Sequence, residues 1–142
     1  MEELGISITA IIVATIANFI LGFLWYTPLF GKAWAKEMGF DMTKKPPSGA
    51  LAKGMIFMVI GNFLMAYVLA HNNAAWSFVP GMKEMSPMGK VMNAAIFTWL
   101  GFYFPVDLGA VAWENKSWKL FGINTGYHFA MVLVAATILI YM

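Results

Sequence analysis

Cysteine and arginine are both missing from this sequence, and charge of either sign is scarce. Without cysteine there is no disulfide, no thiolate metal site and no thiol nucleophile. Without arginine there is no planar, two-pronged grip for phosphate, and all 9 basic residues are lysines. Charged residues make up 11% of the 142, against about 25% in an ordinary soluble domain. The net charge of +2 is too small and too dispersed to describe a nucleic-acid surface. Also missing are HExxH, GxSxG, a Gly-rich phosphate loop and any close pair of carboxylates inside an apolar run. These absences lead to the expectation of no enzyme, no catalytic residues, no metal and no cofactor.

Apolar residues are present in excess, at 61% of the chain with 16% aromatics and 12 Met. A water-soluble fold of this size cannot hide that much apolar surface, so the surplus is expected to face lipid. Charge-free intervals set the scale. No Asp, Glu, Lys or Arg occurs between Glu3 and Lys32, between Lys53 and Lys83, or after Lys119, and a shorter gap separates Lys90 from Asp107. A spanning helix needs about 20 residues. The intervals therefore predict an all-α membrane protein, a single domain over 1–142, with spans near 4–27, 52–72, 89–110 and 119–141 in a four-helix bundle. The acidic start Met1-Glu2-Glu3 is unlike the basic opening of a signal peptide, so the first apolar run is expected to stay as a span.

The ends of these runs carry Trp25, Tyr26, Trp76, Trp113, Trp118 and Tyr141, as expected of rings that favour the headgroup level. Trp99 is an exception in mid-span. Pro28 and Pro105 are expected to stop or kink the first and third helices, because proline lacks an N–H and its ring clashes with the preceding turn. Over 30–39, Phe30, Ala33, Trp34 and Met38 share one helical face and Lys32 and Lys36 the other, which predicts a short interfacial helix ended by Gly39. Trp25, Tyr26, Pro28, Phe30 and Trp34 are the expected interfacial anchors. Lys32, Lys36, Lys44, Lys45, Lys53, Lys116 and Lys119 fall on one side, Lys83 and Lys90 on the other. The lysine-rich loops are therefore expected in the cytoplasm and both termini outside, in an inner (plasma) membrane.

Each span also carries a strongly polar residue that needs a partner in hydrocarbon: Asn18, Asn62, Asn93 and Asn124, joined by His128. One reading is a polar cluster that passes protons or a small solute. The other is packing, each amide bonding a neighbouring helix for about 0.6–2 kcal/mol. Packing is favoured, since asparagine does not titrate and a proton path normally includes a buried carboxylate. Asp107, beside Glu114, Lys116 and Lys119, reads as part of an interfacial charge cluster, with a gate or ion-binding carboxylate as the alternative. Gly22, and Gly122, Gly126 and Ala130 in a GxxxG stripe, are the expected close-packing positions. A loose echo relates Asn18, Trp25 and Pro28 to Asn93, Trp99 and Pro105.

The run containing Gly22, Trp25, Tyr26, Pro28, Phe30, Gly31 and Trp34 resembles the small bacterial and fungal membrane proteins grouped as domain of unknown function 1761. The later stretch from Trp113 to Phe121, with Asn124 and Tyr127, is similar to that family's lead into its last span. The resemblance implies four membrane helices and carries no catalytic residue or substrate with it.

The function expected from these features is an interaction protein, a homo-oligomer or accessory subunit of a larger membrane complex, whose partners are the lipid bilayer and other membrane chains. The alternative is a small channel or transporter lined by the Asn/His residues. A third, weaker option is a lipid-handling enzyme or lipid-binding module using Lys32 and Lys36.

Overall fold

Each apolar interval becomes a helix because lipid offers its backbone no hydrogen-bonding partner other than itself. The computed structural model describes residues 5–41, 43–44 and 47–142. It contains four helices long and apolar enough to cross a membrane: α1 (Ile8–Leu29), α3 (Gly49–Trp76), α4 (Pro87–Trp113) and α5 (Trp118–Tyr141). A short α2 (Gly31–Met38) follows the first. Among the described residues there is no β-strand. The first span was expected from residue 4, which lies outside the described residues.

Serine hydroxyls set three of the starts. Ser7 accepts from the Ala10 N–H, Ser86 from Gly89 and Ser117 from Leu120, each at 3.1 Å, and Pro87 supplies the first turn of α4. Gly39, at φ +74°, closes α2 with the Phe40 N–H reaching the Ala35 carbonyl at 2.9 Å. In the following loop the Thr43 hydroxyl and N–H both donate to Asp41, at 2.6 and 3.0 Å, holding that carboxyl below the usual carboxylate range.

The two prolines behave differently. Pro28 lies one residue before α1 ends at Leu29, whereas α4 runs on past Pro105 to Trp113. In both helices the chain widens into a π turn, at Trp25–Leu29 and at Trp99–Tyr103. There the Phe30 N–H bonds the Trp25 carbonyl at 2.8 Å, and the Phe104 N–H bonds the Trp99 carbonyl. The first of these bonds spans Pro28; the second closes just before Pro105, which stands in the first turn of the α segment that follows. The second span also outruns its expected 52–72, because the polar residues His71, Asn72 and Asn73 stay helical as far as Trp76.

Helix α5 is the hub. It packs against α1 on one side and α4 on the other, with α3 resting chiefly on α1. Apart from Ile11 of α1, the fully buried apolar contacts are made by small or slim side chains, among them Ala14 of α1, Ala66 of α3, Val91 and Ala95 of α4, and Val132 and Ala135 of α5. Such residues let backbones approach closely. Large apolar residues point outward instead, among them Ile12, Ile16, Ile20 and Phe23 along α1, as a lipid-facing surface requires. Helix α2 is tied to the start of α5. Ser117 Oγ donates to Glu37 Oε2 at 2.6 Å and Lys119 lies 3.8 Å from the same carboxylate.

Close packing differs sharply between two of the expected glycines. A Cβ added at Gly22 would stand 1.8 Å from Met58 Cε and 3.0 Å from Tyr127 Oη, whereas at Gly122 it would meet nothing within 4 Å. Gly22→Leu is therefore expected to cost about 1–3 kcal/mol through overpacking, and Gly122→Leu to stay within about 0.5 kcal/mol of the parent. Thermal unfolding in detergent checks the contrast, and equal effects would contradict it.

Candidate functional site

In hydrocarbon an isolated acid or imidazole is costly, so the placement of Asp107 and His128 is the first question for any site. Asp107 lies in the first turn after the π turn of α4. The extra residue of a π turn rotates everything after it by about 100°, and here it aims Asp107 at α5. His128 Nδ1 donates to Asp107 Oδ2 at 2.7 Å, with the side chains 26% and 10% exposed. The Tyr103 ring lies over the imidazole at 4.9 Å, and the Tyr127 ring stands 5.6 Å away. The acid and the imidazole are thus bonded to each other between two helices.

The same stretch of α5 is gripped by aromatic side chains from both neighbours. Trp25 Nε1 donates to the Ile123 carbonyl at 3.0 Å, and Trp99 Nε1 to the Thr125 carbonyl at 2.9 Å and its hydroxyl at 3.1 Å. These carbonyls have a second lone pair free for the purpose. The Tyr26 hydroxyl donates to Asn124 Oδ1 at 3.1 Å, and its ring meets Tyr127 edge-on at 4.9 Å. The Trp25 ring also packs 3.4 Å from where a Gly126 side chain would begin.

Below the pair, a cavity of about 230 Å³ is lined by Asp107, Asn124, Glu114, Lys116 and, from α2, Met38. Two carboxylates, one ammonium and one amide share this lining with apolar side chains such as Val111, Leu120 and Phe121, so Asp107 opens on a space of mixed character. On the far side, Tyr103 and Thr98 form part of the wall of a groove of about 440 Å³ between α3 and α4. One aromatic ring therefore separates the Asp107–His128 pair from that groove.

The expected polar cluster divides into three places. Asn18 is fully buried with neither amide atom partnered, and Asn62 is 4% exposed with its Nδ2 unpartnered. Gly22 opposes Met58, so Asn18 and Asn62 stand level one turn further along the α1–α3 contact. Asn93 lines a separate small cavity beside Lys90. Asn124 and His128 share a helix face, yet each bonds a different partner, Tyr26 and Asp107. Of the packing stripe, Gly126 meets Trp25, Ala130 is half-buried and Gly122 faces open space.

The anchors also differ from expectation. Trp25 and Tyr26 turn inward to α5 instead of outward to headgroups, because an indole N–H or phenol finds a better partner there than in acyl chains. Phe30 packs on Trp25 at 4.8 Å and Trp34 on Tyr26 at 5.4 Å, while Pro28 is exposed. Trp99, anomalous in mid-span, is the counterpart of Trp25. The signal that pairs them is Trp followed five residues later by Phe, which is the π-turn bond itself and differs from the Trp–Pro spacing. No group of three or more His, Asp or Glu converges among the described residues as metal ligands would.

Four helices long and apolar enough to cross a membrane, with no strand among the described residues, are consistent with a multi-pass membrane protein. The family model described as protein of unknown function (DUF1761) matches residues 9–140, and the chain belongs to that family. No curated protein and no solved structure matches it.

The 2.7 Å bond couples Asp107 and His128 energetically. In a cycle of Asp107→Asn, His128→Gln and the double variant, the coupling is expected at about 1–3 kcal/mol. Unfolding in detergent measures it, and additivity of the two single changes would remove the pair from the site.

Proposed function

We propose that the chain is a small channel or transporter whose working step is proton exchange at Asp107 and His128. The observation that carries this is the 2.7 Å bond between them at a cavity that Asp107 shares with Glu114, Lys116 and Asn124. It supplies the buried carboxylate without which the asparagines alone favoured packing. In this mechanism a proton from the cavity beside Glu114 and Lys116 reaches Asp107. Protonated Asp107 then donates through Oδ2 to Nδ1 of the Nε2–H tautomer. As the proton passes to Nδ1 the Nε2 proton leaves from the opposite edge, which ends in the Nδ1–H tautomer donating to the carboxylate. Return of the ring proton to Nε2 resets the relay. Tyr103, stacked on the ring, faces the α3–α4 groove and forms the last barrier on that side. Asn124 and Tyr26 hold the wall of the cavity, and Asn18 and Asn62 act in packing. No covalent chemistry is asked of these residues, so the chain works as a conductor and not as an enzyme.

In this reading the four long helices form a transmembrane bundle with α2 at the interface on the lysine-rich, cytoplasmic side, both termini lying outside. The Lys32 and Lys36 side chains, both carried by α2, support that placement. A homo-oligomer or accessory-subunit role is the second reading. It is supported by an all-apolar hollow of about 370 Å³ between α1 and α3, lined by residues such as Ile16, Val59 and Phe63. Native sizing in mild detergent tests it, and a monomer free of other chains would sink it.

The main reading predicts that full-length protein in phosphatidylcholine vesicles dissipates an imposed pH gradient. Asp107→Asn should slow the flux at least about tenfold, the scale on which general acid–base groups act, and Asn124→Leu should slow it too, whereas Gly122→Leu should not. Flux no faster than in empty vesicles, or equal in parent and Asp107→Asn, defeats the proposal. In the same vesicles an impermeant amine reagent should reach Lys83 and Lys36 only from opposite sides, and labelling of both from one side overturns the orientation.

A further inference from the structure

The groove between α3 and α4 continues into a chemically different space. Its walls are Gly61, Leu64 and Val68 of α3 with Phe102 and Tyr103 of α4. At one end, Leu69, Asn72 and Thr98 belong both to the groove and to a smaller cavity of about 80 Å³. That cavity adds Asn73, Asn93 and Lys90, and no carboxylate lines it. Asn73 Nδ2 is a buried donor with no acceptor among the described residues, and none of the ion pairs among them involves Lys90. A long apolar channel thus ends in one cation and three amides.

The dimensions suit half a bilayer. From Asn72 to Gly61 the helix rises roughly 16 Å at 1.5 Å per residue, against about 15 Å for one leaflet of a 30 Å hydrocarbon core. We propose that the groove and the Lys90 cavity together bind one anionic phospholipid. An acyl chain lies between α3 and α4, and the phosphate sits against Lys90 and the amide N–H groups of Asn72, Asn73 and Asn93. A chain fills the gap that the two helices leave, restoring dispersion contacts to their facing side chains. The phosphate satisfies donors that the protein does not. A helix from a second copy fits less well, since it is about 10 Å across and brings nothing anionic to Lys90. Bound in this way, the lipid covers the groove side of Tyr103 and seals that exit of the proton relay.

The site is tested on the full chain by native mass spectrometry in detergent, titrated with phosphatidylglycerol and phosphatidylcholine of identical chains. One phosphatidylglycerol should be retained, bound about fivefold or more tighter than phosphatidylcholine, the increment expected of one lysine at a membrane surface. Lys90→Gln should erase that preference while Lys90→Arg keeps it. Gly61→Phe, which fills the groove from a position with nothing within 4 Å of an added Cβ, should weaken both lipids. Equal retention of the two lipids, or a preference indifferent to Lys90→Gln, overturns the proposal. So does displacement of the lipid by inorganic phosphate alone, which assigns the cavity to a free anion, or disulfide cross-linking of Gly61→Cys between copies, which assigns the groove to a second chain. None of these readouts depends on proton flux, so the site stands or falls separately from the relay.

Discussion

In hydrocarbon a polar group that loses its partner cannot turn to water, and that constraint organises this protein around one helix. The carbonyls of Ile123 and Thr125 on α5 each accept an indole N–H, from Trp25 of α1 and Trp99 of α4. Both tryptophans open a π turn, and both turns sit beside a proline. The widened turn spans Pro28 in α1 and closes just before Pro105 in α4, and its extra residue rotates the side chains that follow. Asp107 owes its aim at His128 to this rotation.

The acid–imidazole pair is costly wherever it is not needed. Burying two ionisable groups carries a desolvation penalty that a single 2.7 Å bond offsets only in part. Packing alone gives no reason to keep such a pair when apolar residues would fill the space as well. The surrounding residues point the same way. Two further carboxylate and amide groups, Glu114 and Asn124, meet Asp107 in one cavity, and Tyr103 screens the imidazole from the groove opposite. The arrangement is of mixed character on one side, aromatic in the middle and apolar on the other.

Much of the helical architecture was legible because charge-free length is a coarse and robust signal. Four intervals without a charge became four helices, and serine caps mark three of their starts. Of the two prolines, Pro28 does lie at the end of α1, whereas Pro105 does not stop α4, because it falls in the first turn of the α segment that follows the π turn, where a missing N–H is tolerated. Trp25 and Tyr26 misled. Aromatic residues near a span end usually face headgroups, but a hydrogen-bond acceptor on an adjacent helix outweighs that preference, and only the tertiary arrangement shows that the acceptor is there. The asparagines were legible as buried and illegible as neighbours, because periodicity gives the face of a helix and not which helix it meets. The Asp107–His128 bond joins residues 21 apart across two helices, and nothing local in the sequence ties them.

Helix α3 stands apart from this network. It rests mainly on α1, contributes neither an indole bond nor a member of the acid–imidazole pair, and leaves a groove between itself and α4. Cooperative units in a folded chain differ in the free energy needed to open them. The chain therefore reads as a three-helix frame of α1, α4 and α5, with α3 the element held by the fewest polar ties. Its detachment would widen the slot beside Tyr103 without disturbing either tryptophan.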